Sequence, residues 1–181
     1  MPSPKHQKLK LEALRRKSVE EFKGSMKIPV VVLLDNVRSM HNVGSVFRTS
    51  DAFSIQKIYL CGITPRPPHR EIQKTALGAT ESVNWEYAPS IFETIDKLKE
   101  ENYVIIGIEQ VTNSVMLENY QVFPEQKYAL IFGNEVEGIS EEILSKIDVF
   151  VEIPQSGTKH SLNISVCAGI VLWEWFSKMS G

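Results

Sequence analysis

The 181-residue chain lacks the short signatures that most readily announce a chemistry. There is no G-x-x-x-x-G-K-[ST] loop to cradle a triphosphate and no G-x-G-x-x-G after the first apolar run. Neither H-E-x-x-H nor a close cysteine pair offers a metal site. A P-loop hydrolase, an ordinary dinucleotide enzyme and a zinc enzyme all lose ground. The two cysteines, Cys61 and Cys167, stand far apart in apolar surroundings, which predicts small packed side chains and no disulfide. No apolar run approaches the roughly 20 residues that span a bilayer. Met1-Pro2-Ser3-Pro4-Lys5 opens without the apolar stretch of a secretory signal. The expectation is a cytoplasmic protein with no membrane partner. The four histidines, His6, His41, His69 and His160, are scattered, and solvent or structural roles suit them.

What is present is ordinary globular composition, 43% hydrophobic and 23% charged, enough chain for one compact domain with a short appendage. The net charge is only −2, but it is segregated. Residues 1–27 carry eight Lys and Arg against three Glu, a surplus of five, so the remainder carries −7. A basic N-terminal arm on an acidic body suits contact with phosphates, or equally a solvated helix beside a partner subunit. Leu9, Leu11, Leu14, Val19 and Phe22 are spaced for one apolar stripe on a helix over residues 5–23. The division expected is a basic helical extension, 1–27, and a main domain, 28–181.

From residue 30 the pattern changes. Val30–Leu34 is a continuous β-branched and aliphatic run, as in a strand buried on both faces, and similar runs recur at Lys57–Cys61, Tyr103–Ile108, Tyr128–Phe132 and Val149–Ile153. Helical patterns alternate with them: residues 42–53, Ile91–Lys99 behind a Ser90/Glu93 capping box, and Glu141–Ile147 with Ser140 as cap. This alternation predicts an α/β fold, a mainly parallel sheet covered by helices. Ser161–Met179 closes the chain. It is apolar nearly all round, which predicts burial in the core or against another subunit.

Three polar clusters sit at the carboxyl ends of expected strands, where open α/β sheets place ligands. The first runs from Asp35 through Asn42 and Gly44 to Arg48. Six residues separate Asn42 from Arg48 on the expected helix, so the arginine must reach back or across to join it. The second, Phe132-Gly133-Asn134-Glu135 to Gly138-Ile139-Ser140, has glycines that permit tight turns and close approach of a ligand to backbone. A plain strand-to-helix loop would look similar. The third is Ile153-Pro154 followed by Ser161-Leu162-Asn163-Ile164-Ser165. Asn163 and Ser165 fall in the most apolar helix of the chain, where an unsatisfied buried amide costs about 1–3 kcal/mol, so they either cap the helix start or face a ligand. Ser161 serves as cap well enough to leave Asn163 unexplained.

Taken in order, these clusters resemble the motifs of the SpoU (TrmH-like) RNA 2′-O-ribose methyltransferases among the knotted SPOUT enzymes: Asn42-x-Gly44-x-x-x-Arg48, then Phe132-Gly133-Asn134-Glu135 with Gly138-Ile139-Ser140, then Ile153-Pro154 with Ser161-Leu162-Asn163-Ile164-Ser165-Val166. The resemblance covers roughly residues 28–179. It implies a C-terminal deep trefoil knot, a rare topology, and a homodimer in which motif one of one subunit meets the cofactor pocket of the other. It implies S-adenosylmethionine as cofactor, contacted by Gly133, Ile153 and Leu162, with Ile108 and Glu109 as further candidates. Arg48 takes the central catalytic role, with Asn42, Glu135, Ser161 and Asn163 orienting it and the ribose. The substrate implied is a structured RNA, tRNA or rRNA and not DNA. The short extension favours tRNA, met by the basic arm and by Arg66, His69, Arg70 and Lys74. The alternative function is an RNA-binding protein of this fold without turnover.

Overall fold

The computed structural model describes residues 8–10 and 16–180. The expected helix over 5–23 falls partly on residues 1–7 and 11–15, outside the described residues. Among those described, 8–10 and 16–18 have no regular structure, and helix α1 spans Val19–Gly24. It opens with a full capping box: Ser18 Oγ accepts from the Glu21 amide, and Glu21 accepts from the Ser18 amide. Phe22 anchors it, buried in the core of the main domain.

Seven parallel strands form the sheet: β1 (Ile28–Asp35), β2 (Ile55–Cys61), β3 (Trp85–Ala88), β4 (Tyr103–Ile108), β5 (Val115–Met116), β6 (Lys127–Phe132) and β7 (Val149–Glu152). Their order is β3-β2-β1-β6-β4-β7-β5. Central strands bury both faces, which is why β1, β4 and β6 read as unbroken apolar runs. Side chains alternate between two layers. Val30, Val32 and Leu34 face the helices α2 (Met40–Ala52), α3 (Arg70–Ala76), α4 (Ala79–Ser82) and α6 (Ile164–Met179). Val31 and Leu33 face α5 (Ile91–Glu100) and a 3₁₀ turn at Glu141–Lys146.

Two edge strands escape the sequence reading. β3 is short and half-exposed, and β5 is two residues long. Two caps also differ from expectation. Ser140 makes no side-chain cap, and the segment behind it winds as a 3₁₀ turn. Helix α6 begins at Ile164, capped by Asn163 and not by Ser161: Asn163 Oδ1 accepts from the Ser165 and Val166 amides at 2.9 and 3.4 Å. Ser90 does cap α5, accepting from the Glu93 amide.

β7 pairs with β4 on one side and β5 on the other, so in the sheet it lies between two strands that both precede it in the chain. No helix among the described residues is long and apolar enough to cross a membrane. Cys61 and Cys167 are both free thiols; Cys61 is buried, Cys167 half-buried.

Candidate functional site

β1, β4, β6 and β7 all end at the same edge of the sheet, and the loops leaving them meet there. β1 ends on Asp35, a fully buried carboxylate. Its Oδ2 accepts from the Ser140 amide at 2.9 Å and the Ser140 hydroxyl at 2.8 Å, and its Oδ1 from the Asn36 side chain at 2.8 Å. A buried carboxylate is tolerated only with such partners. It pins the end of the 133–140 loop to the first strand.

The 133–140 loop is itself tightly closed. Asn134 and Gly138 exchange backbone hydrogen bonds at 3.0 and 3.2 Å, while Asn134 Oδ1 accepts from the Val136 and Glu137 amides. Gly138 adopts φ +71°, in the left-handed region that favours glycine. A Cβ on Gly133 would stand 2.0 Å from the Gly138 carbonyl carbon, so the loop closes only on glycine there. From the other side Glu109 Oε2 accepts from the Ile139 amide at 3.3 Å.

The closed loop presents Glu135 to the start of α2. Its Oε2 accepts from the Arg38 amide at 3.1 Å, and its Oε1 from the Ser39 amide at 3.2 Å and Asn42 Nδ2 at 3.0 Å. Anions are favoured at a helix start because the first amides there lack helical partners. Partial burial pushes the Glu135 carboxyl up, but the amides of Arg38 and of Glu135 itself, the Asn42 side chain and the Ser39 amide together outweigh burial. They hold it below the usual carboxylate range. Asn42 Oδ1 in turn accepts from Asn163 Nδ2 at 3.2 Å. One side-chain chain, Glu135–Asn42–Asn163, therefore joins all three polar clusters.

Behind Glu135 lies a cavity of about 710 Å³. Gly133, Ile153, Leu162, Ile108 and Glu109 all line it, as do Glu135, Ser161 and Asn163. Its charge is one-sided: Glu109, Glu135, Glu137, Glu141 and Glu152 face it, and no lysine or arginine does among the described residues. Such a lining suits a cationic guest and repels phosphate. Cys167 also lines the cavity. Burial, with the Glu109 charge added, pushes its thiol up to about 12, so it is protonated and unreactive at neutral pH. Among the described residues, no group of three or more His, Cys, Asp or Glu is placed to hold a metal.

Arg48 stands apart. It is exposed on α2, and its side chain forms no hydrogen bond or ion pair among the described residues. Six residues on a helix turn it roughly 120° away from Asn42, so it does not join Asn42, Glu135 or Asn163 within one chain. Ser161 is exposed on the cavity rim, and its side chain too forms no hydrogen bond among the described residues. The sequence places Asp35 at the head of the first polar cluster but gives it no role, because its pairing with Ser140 spans 105 residues and leaves no local signal.

Next to α2 packs α6, and α6 exposes an apolar stripe. Leu162, just ahead of the helix, and Val166, Ile170 and Trp173 within it are 36, 50, 39 and 54% exposed at spacings of four, four and three residues. The helix is apolar all round, as its sequence indicated, but only half of it faces the core.

A family model described as the SpoU rRNA Methylase family matches residues 29–173. A TrmH family tRNA/rRNA methyltransferase of Staphylococcus aureus (strain MSSA476) is 29% identical over 151 residues, covering 83% of this chain and 60% of that one. Among solved structures, the A. aeolicus TrmH/SpoU tRNA modifying enzyme superposes with a TM-score of 0.79 at 25% identity, covering 90% of this chain and 81% of that one. The AdoMet-bound rRNA methyltransferase of Sinorhizobium meliloti gives 0.74 at 27% identity, covering 80% and 54%. The chain spans about 60% of the length of the curated relatives it matches.

Proposed function

The chain belongs to the SpoU rRNA methylase family, and from that premise we propose that it transfers the methyl group of S-adenosylmethionine to a ribose 2′-hydroxyl of a structured RNA, tRNA or rRNA, as a cytoplasmic homodimer. The observation that carries this reading is the acidic 710 Å³ cavity, which is lined by Gly133, Ile153 and Leu162, the residues that the motif pattern assigns to the cofactor, and by the further candidates Ile108 and Glu109.

The residues present fit that cofactor. Ile108, Ile153, Leu162 and Ile164 give the cavity apolar wall for a nucleoside, while its glutamates favour the positive charges of the sulfonium and amino groups. S-adenosylmethionine supplies a methyl group that is already electrophilic. The protein must hold the ribose hydroxyl beside that methyl and favour loss of its proton, a task made mostly of positioning.

Arg48 is the catalytic residue of this reading. A guanidinium does not give up its proton at neutral pH, so Arg48 acts as a charged clamp. It grips the phosphate next to the reacting ribose and stabilises the developing alkoxide, while that phosphate or water accepts the proton. Glu135, Asn42 and Asn163 fix the loops that bear the cavity wall, and Ser161 meets the ribose at the rim. Because Arg48 does not line the cavity of its own chain, it serves the cavity of a second copy. The exposed stripe of Leu162, Val166, Ile170 and Trp173, on the helix that packs against α2, supports an interface that brings the two together. The insertion of β7 between β4 and β5 supports the trefoil-knot topology. The basic segment 1–27 acts as an RNA-binding arm, and tRNA is the favoured substrate.

The test is incubation of the purified protein with radiolabelled S-adenosylmethionine and undermodified total RNA, followed by nucleoside analysis. Label in a 2′-O-methylated nucleoside of the tRNA fraction is the expected result. Cofactor binding without label from any RNA would favour the reading as an RNA-binding protein, and no cofactor binding would end the enzyme reading.

A further inference from the structure

A second cleft, of about 820 Å³, opens between the loop after β2 and the edge strand β3. Its volume is in the range of ligand sites, about 300–1,000 Å³. Trp85 and Tyr87, two residues apart on β3, turn their side chains to the same face of the sheet and line it together. Both are half-buried. Across from them, the Arg66 guanidinium lies over the Tyr87 ring, 4.2 Å from its centroid. Ile63, 65% exposed, completes the rim.

Four arginines have no carboxylate partner among the described residues. Arg38, Arg48, Arg66 and Arg70 form no ion pair and donate no side-chain hydrogen bond among the described residues, whereas Lys57, Lys74, Lys99, Lys146 and Lys178 are all paired with carboxylates. On a body with an overall acid surplus, these four guanidiniums, on α2, at the start of α3 and in the loops after β1 and β2, have no carboxylate partner among the described residues. A guanidinium stacked on an aromatic ring keeps its donors in plane, free to bind phosphate, while the ring and its neighbours present flat apolar surface. That combination recognises unpaired nucleobases in single-stranded nucleic acid.

The rim is also held rigidly to the loop that leads into α2. Gly62 takes φ +59° beneath Asn36, whose Oδ1 accepts from the Ile63 amide at 3.1 Å. The Thr64 hydroxyl donates to the Leu34 carbonyl at 3.0 Å and accepts from the Val37 amide at 3.0 Å. These bonds tie the loop that bears Arg66 to the loop that leads into α2.

We propose that the Trp85–Tyr87–Arg66 cleft binds an unpaired nucleobase of the RNA substrate, with Arg66 and Arg70 taking its flanking phosphates. The proposal rests on the RNA-methyltransferase reading for its ligand class. It makes the enzyme selective for RNA with a splayed or looped strand beside the methylated ribose. Base stacking of this kind changes affinity by roughly five- to a hundredfold per base on removal of the aromatic.

Full-length protein is assayed for binding of a single-stranded oligouridylate decamer and of a fully paired RNA duplex of equal length. Arg66→Lys, which keeps charge but loses the planar stack, and Tyr87→Leu are expected to weaken single-strand binding about tenfold while duplex binding changes less than twofold and cofactor affinity is unchanged. Arg66 is exposed, so Arg66→Lys remains decisive should Tyr87→Leu fold poorly. Equal losses on both RNAs, no loss on either, or a wild-type preference for the duplex would overturn the proposal. The binding assay does not depend on turnover: absence of methyl transfer with every RNA would count against the enzyme reading alone, and the two failures stay distinct.

Discussion

Asn42 donates to Glu135 across 93 residues of sequence, at 3.0 Å, and the same amide accepts from Asn163, 121 residues away. These two hydrogen bonds tie the start of α2 directly to the walls of the acidic cavity. The arrangement separates two kinds of residue that look alike in sequence. Asn42, Glu135 and Asn163 form a brace within one chain, while Arg48 points out of it.

Arg48→Ala is expected to lower methyl transfer by about a hundred- to a thousandfold, the usual cost of losing one donor to a developing oxyanion. Cofactor affinity and melting temperature should hold, because the side chain is exposed and makes no hydrogen bond or ion pair among the described residues. Mixing Arg48→Ala with a variant whose cavity is blocked, Gly133→Arg, should restore part of the activity. Mixed dimers then contain one intact cavity served by one intact arginine. Activity that never returns on mixing, with mixed dimers verified, would mean that Arg48 serves its own chain.

Gly133→Ala should weaken cofactor binding and destabilise the fold by roughly 2 kcal/mol or more, since its methyl would meet the Gly138 carbonyl carbon at 2.0 Å and oxygen at 2.3 Å. Gly24→Ala is the control. Nothing lies within 4 Å of its added Cβ, so stability should rise by up to about 1 kcal/mol. Calorimetric cofactor titration and thermal melts check both. A Gly133→Ala protein with unaltered melting and affinity would show that the loop adjusts freely.

Glu135 gives a pH signature. Its folded carboxyl titrates below its unfolded value, so its stabilising contribution is complete above the ordinary glutamate range, near 4.3. That contribution fades as pH falls through the lowered folded value. For so exposed a group it is at most about 1 kcal/mol. Melting temperatures of wild type and Glu135→Gln should differ at pH 7 and converge towards pH 3. A gap that stays constant with pH would assign the effect to packing.

The N-terminal arm should be cut before Phe22, because that side chain belongs to the core. Removing residues 1–17, with six lysines and arginines and one glutamate, is expected to weaken RNA binding and flatten its salt dependence. The slope should fall by up to about 0.9 for each duplex phosphate that the arm no longer neutralises. Melting should change little. Unaltered affinity and slope would take the arm out of RNA recognition.

Much of the site is legible in the sequence because its residues lie at fixed offsets from strand ends. The apolar runs of β1, β4 and β6 announce strands buried on both faces, and the polar clusters after β1, β6 and β7 follow at once in the chain. Edge strands carry no such signal. In β3 the exposed Glu86 alternates with half-buried aromatics, and β5 is too short for any period. The start of α6 is ambiguous in the sequence because Ser161 and Asn163 are both good caps. The choice fell to Asn163, whose Oδ1 reaches the Ser165 and Val166 amides while its Nδ2 reaches Asn42.

By itself, then, the sequence determined the layered parallel fold, the segregation of its charge and the three loops where chemistry is concentrated. All three are local matters of periodicity and composition, settled within a few residues. The tertiary structure alone decided that Asp35 would hold Ser140, that β7 would lie between β4 and β5, that five glutamates would line one cavity, and that Arg48 would be exposed outside that lining. These are arrangements of residues that lie tens of positions apart in the chain, 105 for Asp35 and Ser140. They are fixed by which strands bury one another and by the need of every buried polar group for a partner, and neither condition can be read from any single stretch of chain.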